Sequence, residues 1–347
     1  MRFFKFLTVI LLTSIFFSCG SNSANKVLSD FSITTNTKGN THTISAGETL
    51  TISINNPKNH TIESIEYTLN GKKIENKLPL NNIKLGRQII EATVHYNGQT
   101  QTAKQTVTIL SNITPKIYSF KIINEYPHDI TSFTQGLEFY NGDLYEGTGQ
   151  PKESKLRKIN YKTGEVLKNI DLADEYFGEG ITVLNNNIYQ LTWKHNIGFI
   201  YDVTTFKKKS SFKYNQSKEG WGLCNDGDVI YKSDGTEKIW ILDPETLVEK
   251  EYIEAYTNNG RVNELNELEW VNGKIYANRW QLDGVAIINP INGAVEGVID
   301  FSSLKEKVTQ HENLDVLNGI AYNSDTNTLF VTGKYWDKIF EVEVIKN

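Results

Sequence analysis

Between Thr134 and Trp336 one short pattern recurs five times: a glycine followed by a hydrophobic residue, a turn, then an aromatic-bearing strand that ends in an uncommon side chain. The copies read TQGLEFYNGDLYEGTG, GEGITVLNNNIYQLTW, GWGLCNDGDVIYKSDG, NELEWVNGKIYANRW and NGIAYNSDTNTLFVTGK. They anchor at Gly136, Gly180, Gly222, Glu267 and Gly319, with Glu267 standing where the other copies have glycine. Successive anchors lie 44, 42, 45 and 52 residues apart, the period at which one repeat makes a four-stranded blade of a β-propeller. Behind four of the copies comes a second element, LRKINYKTGEVLKNIDL, FIYDVTTFKKKSSFKY, IWILDPETLVEKEYIEA and VAIINPINGAVEGVIDF. Each reads as two strands about a turn. The fifth unit ends early, at DKIFEVEVI, one strand short. The segment from Ile117 to Asp129, ahead of the first copy, has the character of the missing outer strand. Borrowing it would close the ring and remove the exposed sheet edge. Residues 117–347 are therefore expected to form one five-bladed propeller.

The N-terminus has a different character. Arg2 and Lys5 precede an apolar run from Phe6 to Phe17, followed by Ser18-Cys19-Gly20. This is the layout of a secretory signal, too short for a spanning helix. A small residue directly before the cysteine resembles a bacterial lipoprotein processing site. Residues 1–18 are expected to be removed and Cys19 to carry acyl chains that hold the chain on a membrane. Gly20 and Ser21 give no inner-membrane retention signal of the aspartate type, so the expected location is the outer membrane, the periplasm or the cell surface. The only other cysteine is Cys224, which leaves no intramolecular disulfide to form; on its inner strand it is read as a packing residue. Losing Arg2 and Lys5 with the signal takes the formal charge from −5 to −7. No basic stripe remains, which argues against a nucleic-acid partner.

Residues 19–26 are small and polar, a tether. Residues 27–112 hold alternating strands rich in threonine and isoleucine, with hairpin turns at Asn70-Gly71 and Asn97-Gly98. An all-β immunoglobulin-like sandwich is expected there, without a cluster of chemistry-bearing residues. Asn112-Ile113-Thr114-Pro115 marks the passage into the propeller. A monomer is expected.

Equivalent repeat positions in a propeller form rings about its axis. The residues just before the anchors are Gln135, Glu179, Trp221, Asn266 and Asn318. A repeat serving packing alone would place similar residues there; these differ in chemistry, and all but Trp221, a donor only, can both donate and accept hydrogen bonds or ionise. A second ring, twelve to fifteen residues on, reads Thr148-Gly149, Thr192-Trp193, Asp234-Gly235, Arg279-Trp280 and Gly333-Lys334. Aromatic walls with a few converging polar groups describe a small-molecule or peptide-terminus pocket. Trp240 and Trp270, inside apolar strands, are assigned to packing.

The strings FTQGLEF, YFGEGIT, EGWGL, NELEW, NRW, LNGIAY and TGKYW together resemble the plant-type and bacterial glutaminyl-peptide cyclotransferases. The resemblance runs from about Ile122 to the C-terminus and does not include the sandwich. It implies a five-bladed propeller and an acyltransferase that converts the N-terminal glutamine of peptides to pyroglutamate with release of ammonia. It assigns the site to Phe133, Gln135, Phe177, Glu179, Trp193, Trp221, Trp280 and Lys334. Within that assignment Glu179 is the expected general acid and base, Lys334 the expected partner of the oxyanion and Gln135 the expected contact to the substrate's amine or amide; Asn266 and Asn318, outside the eight, are expected to complete that polar ring as substrate contacts.

The chemistry needs no cofactor. Six histidines lack any pair at short ligand spacing, which argues against catalytic zinc, and the family resembled is distinct from the zinc-dependent animal-type enzymes. Glu179, Asn266 and Asn318 are hard oxygen donors near one axis, a set that would also suit a structural calcium ion. Two other readings use the same residues: a calcium-dependent propeller lactonase or esterase, and a non-catalytic propeller binding peptides or glycans on its tryptophan rim.

Overall fold

The computed structural model describes residues 30–345. The signal, Cys19 and the tether lie outside the described residues.

Residues 116–345 build five antiparallel blades of four strands. The first blade comprises Thr134–Tyr140, Asp143–Thr148, Lys155–Asn160 and Glu165–Asp171; the second Gly178–Leu184, Asn187–Thr192, Ile197–Asp202 and Lys208–Lys213. The third runs Leu223–Asn225, Ile230–Ser233, Lys238–Leu242 and Glu249–Glu254, and the fourth Leu265–Val271, Lys274–Arg279, Gly284–Ile288 and Val295–Asp300. The fifth has Leu317–Asn323, Thr328–Gly333 and Lys338–Ile345 from its own repeat. Each inner strand touches the inner strands of the blades before and after it, the first meeting the fifth, so the ring is closed.

The missing strand comes from where the sequence placed it. Lys116–Pro127 pairs antiparallel with Lys338–Ile345. Its first residues also pair parallel with Val295–Asp300, which fuses the fourth and fifth blades into one eight-stranded sheet. Neither side of that seam is left with an open edge.

The anchor glycines are explained by close approach along the axis. A Cβ on Gly136 would lie 2.5 Å from the backbone nitrogen of Ile181, one on Gly180 2.6 Å from the Cα of Gly222, and one on Gly222 2.1 Å from the carbonyl oxygen of Asn266. Only a residue without a side chain lets the inner strands lean together this far. Glu267 breaks the series and does something else. Its carboxylate enters the axial channel, where Oε2 accepts the N–H of Ile320 at 3.0 Å and Oε1 that of Leu137 at 3.4 Å. It thereby ties the fourth blade to the fifth and the first.

Ahead of the ring, two sheets enclose a core of their own. One has Ser32–Thr35, Thr49–Asn55 and Lys77–Pro79; the other Thr43–Ser45, Gln99–Leu110, Gly86–Tyr96, Ile62–Leu69 and Lys72–Ile74. Along Gly86–Tyr96 every second residue is buried, as the two-residue period of a half-covered strand requires. Leu50, Ile52, Leu80, Ile90, Val107 and Ile109 fill the space between. Asn70-Gly71 and Asn97-Gly98 both take positive φ, the two-residue turn that suits strand twist.

This unit is docked on the ring. Tyr256 and Ala294, from the third and fourth blades' outer connections, are members of its core. The Leu85 N–H donates to the carbonyl of Asn292 at 2.9 Å, the Ser111 N–H to that of Thr257 at 3.2 Å, and the Arg87 N–H to Glu254 Oε2 at 2.7 Å.

Candidate active site

Four of the five inner strands carry a bulge at the same place. Register slips between Thr134 and Gly136, Gly178 and Ile181, Leu265 and Leu268, and Leu317 and Ile320. A bulge takes a residue out of the ladder and re-aims its side chain. Gln135, Glu179, Asn266 and Asn318 occupy these bulges. In the third blade the ladder begins at Leu223, and Trp221 precedes it, held by its N–H to the Ser233 carbonyl at 3.1 Å.

At this end of the channel lies a cavity of 570 Å³. All eight residues assigned by the resemblance line it, together with Asn266. Asn318 does not. Expected to contact substrate, it stands one layer back, where its Nδ2 donates to Gln135 Oε1 at 3.0 Å and to the Thr134 carbonyl at 2.9 Å. With its oxygen so engaged, Gln135 presents its NH₂ to the carboxyl of Glu179. Asn318 thereby orients an amide that lines the cavity.

The walls are aromatic and interlocked. Phe133 and Phe177 meet edge to face at 5.8 Å, Phe177 and Trp193 at 5.4 Å, Trp221 and Trp280 edge to face at 6.0 Å between ring centres. Glycines at the second ring make room for them: a Cβ on Gly149 would lie 2.4 Å from Phe177 and one on Gly235 2.6 Å from Trp221. Trp280 is 39% exposed and forms the open rim. Gln150, Gln281 and Tyr335 follow Gly149, Trp280 and Lys334 with φ of 81°, 60° and 60°, left-handed backbone of the kind that gathers at functional sites.

Glu179 is 3% exposed. Burial pushes its carboxyl well above the usual carboxylate range; the Lys334 charge and the Gln135 hydrogen bond pull it partly back, and the Glu219 charge pushes it further up. Lys334, equally buried, is displaced the other way. Loss of solvent lowers its proton affinity, while Glu179 and Asp315 oppose the change. Its ammonium stands 4.5 Å from the ring centre of Phe133. Below Phe133 and Gln135, His128 is buried between the Trp336 carbonyl at 2.7 Å and Glu146 Oε1 at 2.9 Å. Arg157 joins Asp129 at 2.8 Å and Ser132 at 2.9 Å. This polar floor holds the segment that delivers the site's first two residues.

Two buried acceptors in the cavity, Glu179 Oε2 and Asn266 Oδ1, find no hydrogen-bond partner among the described residues. Buried polar atoms are nearly always paired, and among the residues that line this cavity these two atoms stand out as unpaired. Among the described residues no group of three or more His, Cys, Asp or Glu could share a metal ion.

The model of the glutamine cyclotransferase family matches residues 91–344. The chain belongs to that family. The match starts at Glu91, on the last-but-one strand of the N-terminal unit, earlier than the resemblance in the sequence strings begins. A glutaminyl-peptide cyclotransferase of Arabidopsis thaliana is 41% identical over 240 residues, which is 67% of this chain and 73% of that one. The crystal structure of the Myxococcus xanthus glutaminyl cyclase superposes with a TM-score of 0.62 at 33% identity, over 67% of this chain and 98% of the other. Cyclisation of N-terminal glutamine, an acyl transfer, is thus the activity of this cyclotransferase, and the lactonase and purely binding readings fall away. Four residues at the site were not singled out from the sequence: Gln150, Gln281 and Asp315 on the lining, and Glu219 behind it. Glu219 had a signal. It lies two residues before Trp221, as Phe133 lies before Gln135 and Phe177 before Glu179.

Proposed function

We propose that Glu179 carries the proton in the closure of an N-terminal glutamine to pyroglutamate, moving it from the α-amine to the departing nitrogen. The observation that carries this is the pair of unpartnered acceptors, Glu179 Oε2 and Asn266 Oδ1, buried in an aromatic cavity. An N-terminal glutamine brings the complementary groups: an amine, and an amide whose nitrogen donates.

The steps balance without a covalent enzyme intermediate. The neutral α-amine attacks the side-chain carbonyl carbon, forming the new C–N bond of the ring. Glu179, as carboxylate, takes the proton that the attacking nitrogen sheds. The resulting carboxylic acid returns it to the former amide nitrogen, whose C–N bond breaks and which leaves as ammonia. A carboxyl raised by burial suits both halves, since a shuttle works best with a proton affinity near the working pH. Lys334 faces the oxygen on which charge collects. Gln135, oriented by Asn318, and Asn266 hold the reacting nitrogens. Phe133, Phe177, Trp193 and Trp221 keep water from the carbonyl, so that ring closure outruns hydrolysis.

Glu179→Gln is the test. It keeps shape and hydrogen bonding but cannot ionise, and kcat on a Gln-initiated peptide is expected to fall by ~10²–10⁴, the usual worth of general acid-base catalysis, with KM changed little. A near-normal kcat would sink the assignment. The scheme uses no metal, and turnover is expected to survive dialysis against a chelator. Acylation at Cys19 would hold the reaction at a membrane surface, and loss of labelled fatty acid from Cys19→Ser is the outcome expected of that anchor.

A further inference from the structure

Glu219 lies outside the cavity lining yet touches two of its walls. One oxygen, Oε2, accepts the indole N–H of Trp193 at 2.8 Å and that of Trp221 at 2.9 Å. Trp193 follows an inner pair of strands of the second blade and Trp221 leads into the third, so a single atom bridges the seam between blades. Its other oxygen faces Lys194 at 3.9 Å, and the same ammonium lies 3.8 Å from the ring centre of Trp193.

The loop bearing Glu219 is itself pinned from below. Glu249 Oε2 accepts the backbone N–H of Gln216 at 2.7 Å and of Ser217 at 2.8 Å. Lys232 donates to Ser217 Oγ at 2.6 Å, to Glu249 Oε1 at 3.1 Å and to the Glu219 carbonyl at 2.8 Å. Lys232 and Glu249 have fully buried side chains. A buried ion pair is poor evidence of stability, because desolvation offsets its attraction. What it secures here is the place of one carbonyl and, through it, of the Glu219 carboxylate.

We propose that Glu219 is a positioning residue for the cyclisation: its shared oxygen fixes the Trp193 and Trp221 indoles across the seam, so that the wall receiving the glutamine side chain is formed before substrate arrives. Without it each indole N–H would have to be met by water, and the two rings could turn independently. Binding then would include the cost of ordering them. The inference rests on the cavity being the glutamine site. It adds a residue that touches neither substrate nor the reacting atoms.

Both indoles use the same oxygen, so Glu219→Gln can keep both bonds through its amide oxygen, whereas Glu219→Ala loses both. For the intact chain with a Gln-initiated peptide, E219A is expected to raise KM about tenfold, the equivalent of ~1.4 kcal/mol, with kcat lowered less. E219Q is expected to restore KM to within about threefold, a difference smaller than one full hydrogen bond to a charged group. In an E179Q background, where bound peptide persists, the same ordering is expected in Kd from tryptophan fluorescence. An unchanged KM in E219A, or E219Q as impaired as E219A at the same thermal midpoint, overturns the proposal. Should E219A fail to fold, Trp193→Phe removes one N–H and keeps the ring; an unaltered KM there overturns it equally. Turnover persisting in E179Q would count against the proton shuttle alone and leave the clamp to be judged from KM in the parent background.

Discussion

The two ends of the axial channel are built from the same repeat and are chemically unlike. At one end the repeat position before the anchor gives Gln135, Glu179, Trp221, Asn266 and Asn318. Three residues further along the same strands stand Glu138, Thr182, Cys224, Glu269 and Ala321. Both ends hold buried carboxyls pushed up by loss of solvent: Glu179 above; Glu138, raised to about 7, and Glu269 below, with Glu267 between. The lower acids spend oxygens on the scaffold. Glu138 accepts the N–H of Val183 at 2.9 Å and Glu269 that of Tyr322 at 2.7 Å. Glu179 faces a cation and an aromatic cavity instead. A raised proton affinity is therefore common to all of them and marks none by itself. Open volume does not separate them either, since Glu138 and Glu269 line a cavity of 680 Å³; the bulge and the neighbouring ammonium distinguish the upper end.

That contrast can be tested from both sides. The largest effect after Glu179→Gln is expected from Lys334→Met, which removes the cation from the upper end; kcat should fall by ~10²–10³, as when an oxyanion donor is deleted, with the fold intact by circular dichroism. Glu138→Gln addresses the lower end and should leave kcat and KM unchanged. Its effect is on stability. A carboxyl whose proton affinity is higher folded than unfolded makes the folded state bind more protons, so stability falls as pH rises from the ordinary value of 4.5 towards 7. Each pKa unit is worth ~1.4 kcal/mol, so up to about 3 kcal/mol of that fall should disappear in E138Q, seen as a flatter thermal midpoint between pH 5 and 8. A pH profile identical to the parent's would mean that burial does not raise Glu138 in the folded state. The smallest effect belongs to Trp280→Ala, on the open rim, where KM should rise a few-fold, a change of roughly 1 kcal/mol for a half-exposed aromatic, while kcat holds.

The ring was legible because packing wrote it into residue type. Inner strands that lean on each other need a missing side chain, and the glycines that result recur at blade spacing; the short fifth unit exposed the borrowed strand in the same way. Position along the axis was legible too, which is why nine of the ten residues expected at the site reach the cavity. Depth across it was not. Asn318 shares its repeat position with Gln135, and only the bond between them shows which stands in front. The bulges were hidden because register depends on the facing strand, which no single segment of sequence records. Glu267 read as a lapse in the pattern, since nothing local shows that its two oxygens end on amides of the first and fifth blades. Glu219 was hidden because its bond to Trp193 crosses between blades, which no local stretch of sequence shows.

The strand Lys116–Pro127 has a consequence in time. Its partner across the seam, Lys338–Ile345, follows all the strands of the first four blades; Asn124 and Glu341, bonded at 2.7 Å, are 217 residues apart. A contact that long must wait for loop closure over most of the polypeptide. Lys334 sits only four residues before that final strand, so a growing chain can lay down four blades and still lack both the seam and the cation facing Glu179. The cation facing Glu179 and the seam that closes the ring therefore come into place together, after the first four blades.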